Sequence, residues 1–203
     1  MEKWKVRLDT TAFTRDQFPE RDIAEFAVAG RSNVGKSSLV NRLLGAKLAH
    51  VGATPGKTRS INFYRVETPL GPFMLVDLPG YGYASRSKKE RRQWSSLIEA
   101  YITSREAPDL ILHLADFRHG LTANDRELQD WISGMGLSML VVFTKGDKIS
   151  KGARKGALYK YIQSGLKSVD VPIVTSAEKG DGIAELKGFL EGFLSTLSGP
   201  GEN

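Results

Sequence analysis

Short apolar runs alternate with helical patterns along most of this chain. Phe26-Ala27-Val28-Ala29, Leu110-Ile111-Leu112-His113-Leu114 and Met139-Leu140-Val141-Val142-Phe143 are apolar at nearly every position, not at every second one. A strand reads that way when both its faces are covered, as in a parallel sheet with helices on each side. Strands are predicted at 24–29, 61–67, 72–77, 109–115, 138–143 and 171–175, and helices at 36–45, 88–104, 122–134, 151–167 and 183–197. Only Thr68-Pro69-Leu70-Gly71, a hairpin-length turn, separates the second and third strands. The expected class is therefore α/β, with a mostly parallel six-stranded sheet, one antiparallel edge strand and helices on both faces. Residues 1–22 are polar and mixed, with Phe13 and Phe18 as candidate anchors and Pro19 as a helix breaker. They read as an extension packed on a domain spanning 23–197, and 198–203 as a frayed tail.

Composition narrows the class without changing it. With 203 residues, 40% hydrophobic and 26% charged, the chain suits one soluble domain with one core. No apolar run approaches the ~18 residues of a membrane span, and the first residues lack the apolar stretch of a secretory signal. A cytoplasmic, monomeric protein with no membrane partner is expected. With no cysteine, a disulfide framework and a thiolate metal site are excluded. The net charge of +6 favours an anionic partner such as RNA. The basic residues gather in Arg86–Arg92 and between Lys145 and Lys160, the latter with Lys148, Lys151, Arg154 and Lys155. Either cluster alone reads equally well as a solubilising helix face. Nothing matches an RNP1 motif or a zinc finger, so any RNA contact runs through shape and phosphates.

The chemistry concentrates at strand ends. Gly30-Arg31-Ser32-Asn33-Val34-Gly35-Lys36-Ser37 matches G-x-x-x-x-G-K-[ST], with a strand before it and a helix, beginning Ser38-Leu39, after it. A glycine loop that opens a helix aims backbone N–H groups and the positive helix end at one spot, which suits a nucleoside triphosphate. Lys36 is then the ligand of the β/γ-phosphates and Ser37 that of Mg²⁺. Strand 72–77 ends in Asp77-Leu78-Pro79-Gly80, which supplies an acidic Mg²⁺ partner and a glycine N–H for the terminal phosphate. The long loop between helix 36–45 and strand 61–67 contains Thr54-Pro55-Gly56-Lys57-Thr58. A threonine there can place its hydroxyl on Mg²⁺; Thr58 is preferred over Thr54 as nearer the strand that fixes the loop. The expected metal set is thus Ser37, Thr58 and Asp77, with Gly56 and Lys57 beside the nucleotide.

Base choice follows from Thr144-Lys145-Gly146-Asp147-Lys148. One carboxylate accepts together from guanine N1–H and the exocyclic amine, whereas adenine lacks that amine and turns an acceptor toward it. The Lys145 stem can lie along the base. In Val174-Thr175-Ser176-Ala177, Ser176 can brace the loop and the Ala177 N–H can donate to guanine O6.

Phosphate loop, switch threonine, Asp-x-x-Gly, Thr-Lys-x-Asp and Ser-Ala stand in GTPase order. On these stretches, and above all on Asp77-Leu78-Pro79-Gly80-Tyr81-Gly82-Tyr83-Ala84, the chain resembles the EngB-type (YihA/YsxC) GTPases, single-domain relatives of Era and TrmE. The resemblance covers roughly 5–197. It implies a Ras-like P-loop GTPase domain, GTP and GDP as ligands with Mg²⁺, a role in large-subunit ribosome assembly touching rRNA and ribosomal protein, and a link to septation. Many GTPases place a water-orienting Gln after the Asp-x-x-Gly; here Tyr81 stands there, and slow intrinsic hydrolysis is expected. The resemblance also makes Asn33 a candidate K⁺ ligand. Asp116 and Arg118 follow strand 109–115, where they either meet the switch segment or form an Asp–Arg pair capping the next helix, while His113 and His119 read as structural. Two other readings are a guanine-nucleotide sensor with incidental turnover, and an ordinary ATPase or small-molecule kinase.

Overall fold

A computed structural model of the chain describes residues 3–49, 60–81, 96–103 and 108–197. Seven strands form one sheet in the order β1-β3-β4-β2-β5-β6-β7. They are β1 (Lys5–Ala12), β2 (Ala24–Gly30), β3 (Ile61–Thr68), β4 (Gly71–Asp77), β5 (Leu110–Asp116), β6 (Met139–Thr144) and β7 (Ile173–Val174). Helices α1 (Lys36–Leu44), α3 (Ala123–Gly134), α4 (Lys151–Gln163) and α5 (Ile183–Leu197) connect them, with a further helical stretch, α2, at 96–103.

The mostly parallel sheet is as expected, but it holds seven strands, not six. Residues 5–12 pair antiparallel with β3, with a register shift between Leu8 and Thr10. β3 alone runs against the other strands, and β1 rather than β3 is the edge. The polar sequence hid β1 because an edge strand keeps most of its side chains in water; Lys5, Arg7, Leu8 and Asp9 are all exposed. Its anchor is Trp4, buried edge-on against Phe73 at 5.4 Å, with its ring N–H donating to Glu191 at 2.7 Å.

β5 and β6 are buried at every position, which is why they read as unbroken apolar runs. Alternate residues of β2 serve the two faces. Phe26 and Val28 pack with Leu39, Leu43, Leu186 and Leu190 of α1 and α5. Ala27 and Ala29 pack with Leu97, Ile98, Tyr101 and Ile132 of α2 and α3. A third apolar cluster seats α4 on the sheet, where Tyr161 stacks near Phe143 (5.2 Å) and donates to the Phe117 carbonyl (2.9 Å). α4 ends at Gln163, four residues earlier than expected, because Gly165 takes a left-handed φ of 79° that turns the chain away. Every parallel strand delivers its carboxyl end to the same rim, where ligands gather in open α/β sheets.

Candidate functional site

β2 ends at Gly30, and the loop that follows turns through Asn33 (φ 64°) and Gly35 (φ 102°) into α1. Gly30 is required by space: a Cβ there would lie 3.0 Å from both Leu114 Cβ and Val34 Cγ1. The loop is held from β6. The Thr144 hydroxyl donates to the Val34 carbonyl at 2.6 Å, and the Lys145 ammonium donates to the Asn33 carbonyl at 2.8 Å. Ser37 and Ser38 open α1 half-buried, and Lys36 is buried with its ammonium bonded to the Asp77 carboxylate. The predicted phosphate ligand and the predicted Mg²⁺ partner are therefore neighbours. The Ser37 hydroxyl and Asp77 carboxylate are hard oxygen donors, which fits Mg²⁺.

After Asp77 the chain runs beside the phosphate loop. The Leu78 N–H donates to the Val28 carbonyl (3.1 Å) and the Tyr81 N–H to the Gly30 carbonyl (3.2 Å), while Ser32 N–H donates to the Tyr81 carbonyl (2.8 Å). Pro79 carries the chain to Gly80, which lies so close that a Cβ there would come within 3.1 Å of the Ser32 nitrogen. Tyr81 is buried with its phenol turned inward, donating to Asp125 Oδ1 at 2.7 Å and lying 2.8 Å from His113 Nε2. Burial, then the Asp125 charge, pushes this phenol far above its ordinary pKa. It is an anchored hydroxyl, not a group that addresses water at the phosphate edge.

At the other end of the site, main-chain bonds assemble a base-binding corner. Lys145 takes a left-handed φ of 58°, the Gly146 N–H donates to the Thr175 carbonyl at 2.9 Å, and the Thr175 hydroxyl returns to the Phe143 carbonyl at 2.9 Å. The Ser176 hydroxyl donates to Asp147 Oδ1 at 2.7 Å, and the Lys148 ammonium lies 3.0 Å from Oδ2. Ser176 first and Lys148 second hold the Asp147 carboxyl below its ordinary range, so it is an acceptor at neutral pH. Gly35, Ser38, Thr144, Lys145, Asp147, Lys148, Thr175 and Ala177 border one cavity of about 800 Å³, which joins the start of α1 to this corner. That is ample for a small ligand.

Thr54, Gly56, Lys57 and Thr58 lie outside the described residues, as does the Arg86–Arg92 cluster. Two groups that the sequence did not single out, and one whose role it left open, also belong to the site. Asn41 accepts from the Leu48 and Ala49 N–H groups (2.9 and 2.7 Å), fixing Lys47–Ala49 as a cavity wall. Asp116 does pair with Arg118, at 2.9 and 2.7 Å, yet it caps no helix; it also accepts from Lys145 at 3.0 Å. Burial raises the Asp116 carboxyl, but Arg118 and Lys145 outweigh that and hold it well below the usual range. Asp125 is the third, and its signal was present in Thr122-x-x-Asp125, a helix-start pattern, where it accepts from the Thr122 N–H (2.8 Å) and hydroxyl (2.6 Å).

Comparison with known proteins gives a consistent picture. A family model described as 50S ribosome-binding GTPase matches residues 25–145. The "Probable GTP-binding protein EngB" of Syntrophomonas wolfei is 42% identical over 191 residues, covering 94% of this chain and 97% of that protein. Among solved structures, a probable GTP-binding protein engB superposes with a TM-score of 0.65 at 26% identity, covering 85% of this chain and 100% of that one. Era in complex with MgGDPNP and a segment of 16S ribosomal RNA superposes with a TM-score of 0.71 at 28% identity, covering 84% of this chain but 56% of that one.

Proposed function

The chain belongs to the EngB-type GTP-binding proteins of the 50S ribosome-binding GTPase family, and from that premise we propose that it is a GTP-dependent switch in assembly of the large ribosomal subunit, with slow intrinsic hydrolysis. The observation that carries the reading is the single cavity shared by the phosphate loop and the Thr144–Lys148 corner. In this reading Asp147 takes the guanine N1–H and amine, the Ala177 N–H takes O6, and the Lys145 stem covers the base. Loop N–H groups and Lys36 take the phosphates, which requires Lys36 to exchange its bond with Asp77 for one with the nucleotide. The residues that would hold Mg²⁺ are Ser37, Asp77 and Thr58, and the ion would neutralise charge between the β- and γ-phosphates. The Gly80 N–H is the γ-phosphate sensor.

Hydrolysis is slow in this reading because Tyr81 stands where many GTPases place a water-orienting Gln, and a phenol lacks an amide's paired donor and acceptor. Asn33, exposed on the phosphate loop, is the proposed K⁺ ligand, and K⁺ is expected to raise turnover over Na⁺. Equal rates in the two salts would remove that element. Ribosomal partnership draws on charge. From Lys148 to Val169 the sequence holds six Lys or Arg residues and no carboxylate. Arg154 is spent on Asp181 at 2.8 Å, but Lys151, Lys155 and Lys160 are exposed beside an exposed Tyr159, a surface suited to phosphates and an unpaired base. In no described helix is there a stretch long and apolar enough to cross a membrane. Septation defects then follow from reduced ribosome supply.

The test has two arms. GTP and GDP, but not ATP, should displace labelled GDP; equal displacement by ATP would end the guanine reading. Co-sedimentation with large-subunit particles should be stronger with a GTP analogue than with GDP at fixed salt, and depletion should accumulate large-subunit precursors. Nucleotide-independent association would remove the switch.

A further inference from the structure

Two side chains flanking the phosphate edge converge on one buried carboxylate. Arg31 leaves the phosphate loop and Tyr81 leaves the segment after Gly80; both reach Asp125 in the first turn of α3. Asp125 Oδ1 accepts from the Tyr81 hydroxyl at 2.7 Å. Asp125 Oδ2 accepts from Thr122 and lies 3.3 Å from Arg31 Nε, a buried N–H with no aligned hydrogen-bond partner. The Tyr81 oxygen also meets His113 Nε2 at 2.8 Å, and the Gln129 amide nitrogen lies 3.3 Å from His113 Nδ1. The protons of this chain run one way. Gln129 donates to Nδ1, Nε2–H donates to the tyrosine, and the tyrosine donates to Asp125, whose charge ends the series. Burial raises the Asp125 carboxyl, but the nearby His113 and the bonds from Thr122 and Tyr81 outweigh it and hold the group below its ordinary range.

The main chains above this carboxylate are in contact. Ser32 N–H donates to the Tyr81 carbonyl, and a Cβ on Gly80 would lie 3.1–3.2 Å from Ser32, closer than ordinary contact. On the guanine-nucleotide reading, a γ-phosphate that accepts from the Gly80 N–H sits where these two backbones meet and competes with their contact. The Gly80–Tyr81 backbone must then withdraw from Ser32, and that withdrawal pulls the Tyr81 hydroxyl from Asp125. A diphosphate makes no such demand and leaves the bridge intact.

We propose that Asp125, acting through Tyr81, sets the preference of this site between guanosine di- and triphosphate, as a positioning residue that clasps the γ-phosphate edge shut. The proposal rests on the guanine-nucleotide reading above. Because the bond is lost only when triphosphate engages Gly80, removing it should leave diphosphate affinity in place and strengthen triphosphate binding. The expected gain is about tenfold, the low end of what one hydrogen bond to a carboxylate contributes.

Dissociation constants for fluorescent GDP and for fluorescent β,γ-imido-GTP, with Mg²⁺, should be measured on the full chain and on Tyr81→Phe, Asp125→Asn and the double variant. The ratio of triphosphate to diphosphate constants is expected to fall about tenfold in Tyr81→Phe and by less, about threefold, in Asp125→Asn, whose amide oxygen still accepts, with GDP affinity within twofold of the parent. The double variant should fall no further than Tyr81→Phe, because Tyr81→Phe removes the donor of the bond that Asp125→Asn only weakens. A merely structural role would weaken both nucleotides in parallel and leave the ratio unmoved, and that result overturns the proposal, as does a ratio that rises. Should Tyr81→Phe fail to fold by thermal melting, the Asp125→Asn ratio decides alone. Failure of the unaltered chain to bind GDP would overturn the guanine reading itself, and the clasp with it.

Discussion

The two ends of the site are built differently. At the base end each polar group is braced by a neighbour that need not move: Gly146 N–H on Thr175, Ser176 N–H on the Asp181 carbonyl, Ser176 hydroxyl on Asp147. At the phosphate end the ligand groups hold one another: Lys36 holds Asp77, and Ser32 holds Tyr81. A ligand arriving at the base end completes a corner, whereas one arriving at the phosphate end must replace contacts. Rigid recognition of the base and responsive recognition of the phosphates thus come from where the internal hydrogen bonds are closed. Reorganisation on binding is expected at one end only.

The contrast can be broken most severely at Gly182. Its φ is +70° and a Cβ there would sit 2.2 Å from the Val174 carbonyl oxygen, beneath the turn that carries Ser176. Gly182→Ala should cost about 3 kcal/mol of folding stability by urea unfolding; a loss below about 1 kcal/mol would mean that the base end yields. Asp147→Asn should leave the fold intact and weaken GDP by roughly 100-fold, about 2.7 kcal/mol, because the amide turns a donor toward guanine's N1–H and amine. Xanthosine diphosphate, whose C2 carbonyl accepts that donor, should regain much of the loss in a competition assay.

Gly80→Ala sharpens the contrast from the other side. Its contact is 3.1 Å and its backbone is not left-handed, so the loss of stability should be about 1 kcal/mol. Equal losses at Gly80 and Gly182 would erase the distinction between the ends. The mildest test is pH. Asp116 and Asp125 both have carboxyls held below the ordinary ~3.9. Their stabilisation is complete above that value and is lost as pH falls through the lower folded-state values. The urea midpoint should be flat from pH 7 to about 5 and drop below about 4, with a shallower acid limb in Asp116→Asn.

Much of this was legible because the chemistry sits at fixed offsets from strand ends. Gly30–Ser37, Asp77–Gly80 and Thr144–Lys148 each follow an apolar run whose end is readable, so the rim they share could be named in advance. Contacts that close in three dimensions were not readable. Arg31, Tyr81, His113 and Asp125 lie on four separate elements, and no spacing between them carries information. Tyr81 was read, from its place after Gly80, as unable to orient water; that its phenol turns inward onto a buried carboxylate was not readable. Asp116 and Arg118 do pair, one of the two arrangements the sequence left open, but without capping a helix; the tie from Asp116 to Lys145 depends on β5 and β6 being neighbours in the sheet. β1 was missed because its apolar content is concentrated in Trp4 and in the inward faces of Val6 and Ala12.

The Trp4 anchor has a consequence in time. The ring bonds to Glu191 and lies under the Lys187 ammonium at 4.3 Å, so partners separated by 187 residues must both exist before it is seated. During synthesis Trp4 waits for α5, about ten to forty seconds later at ordinary elongation rates. The cradle and base corner can assemble without it. Until α5 is made, β1 can hold the edge of β3 only through its main-chain pairing, without the tie from Trp4 to Glu191.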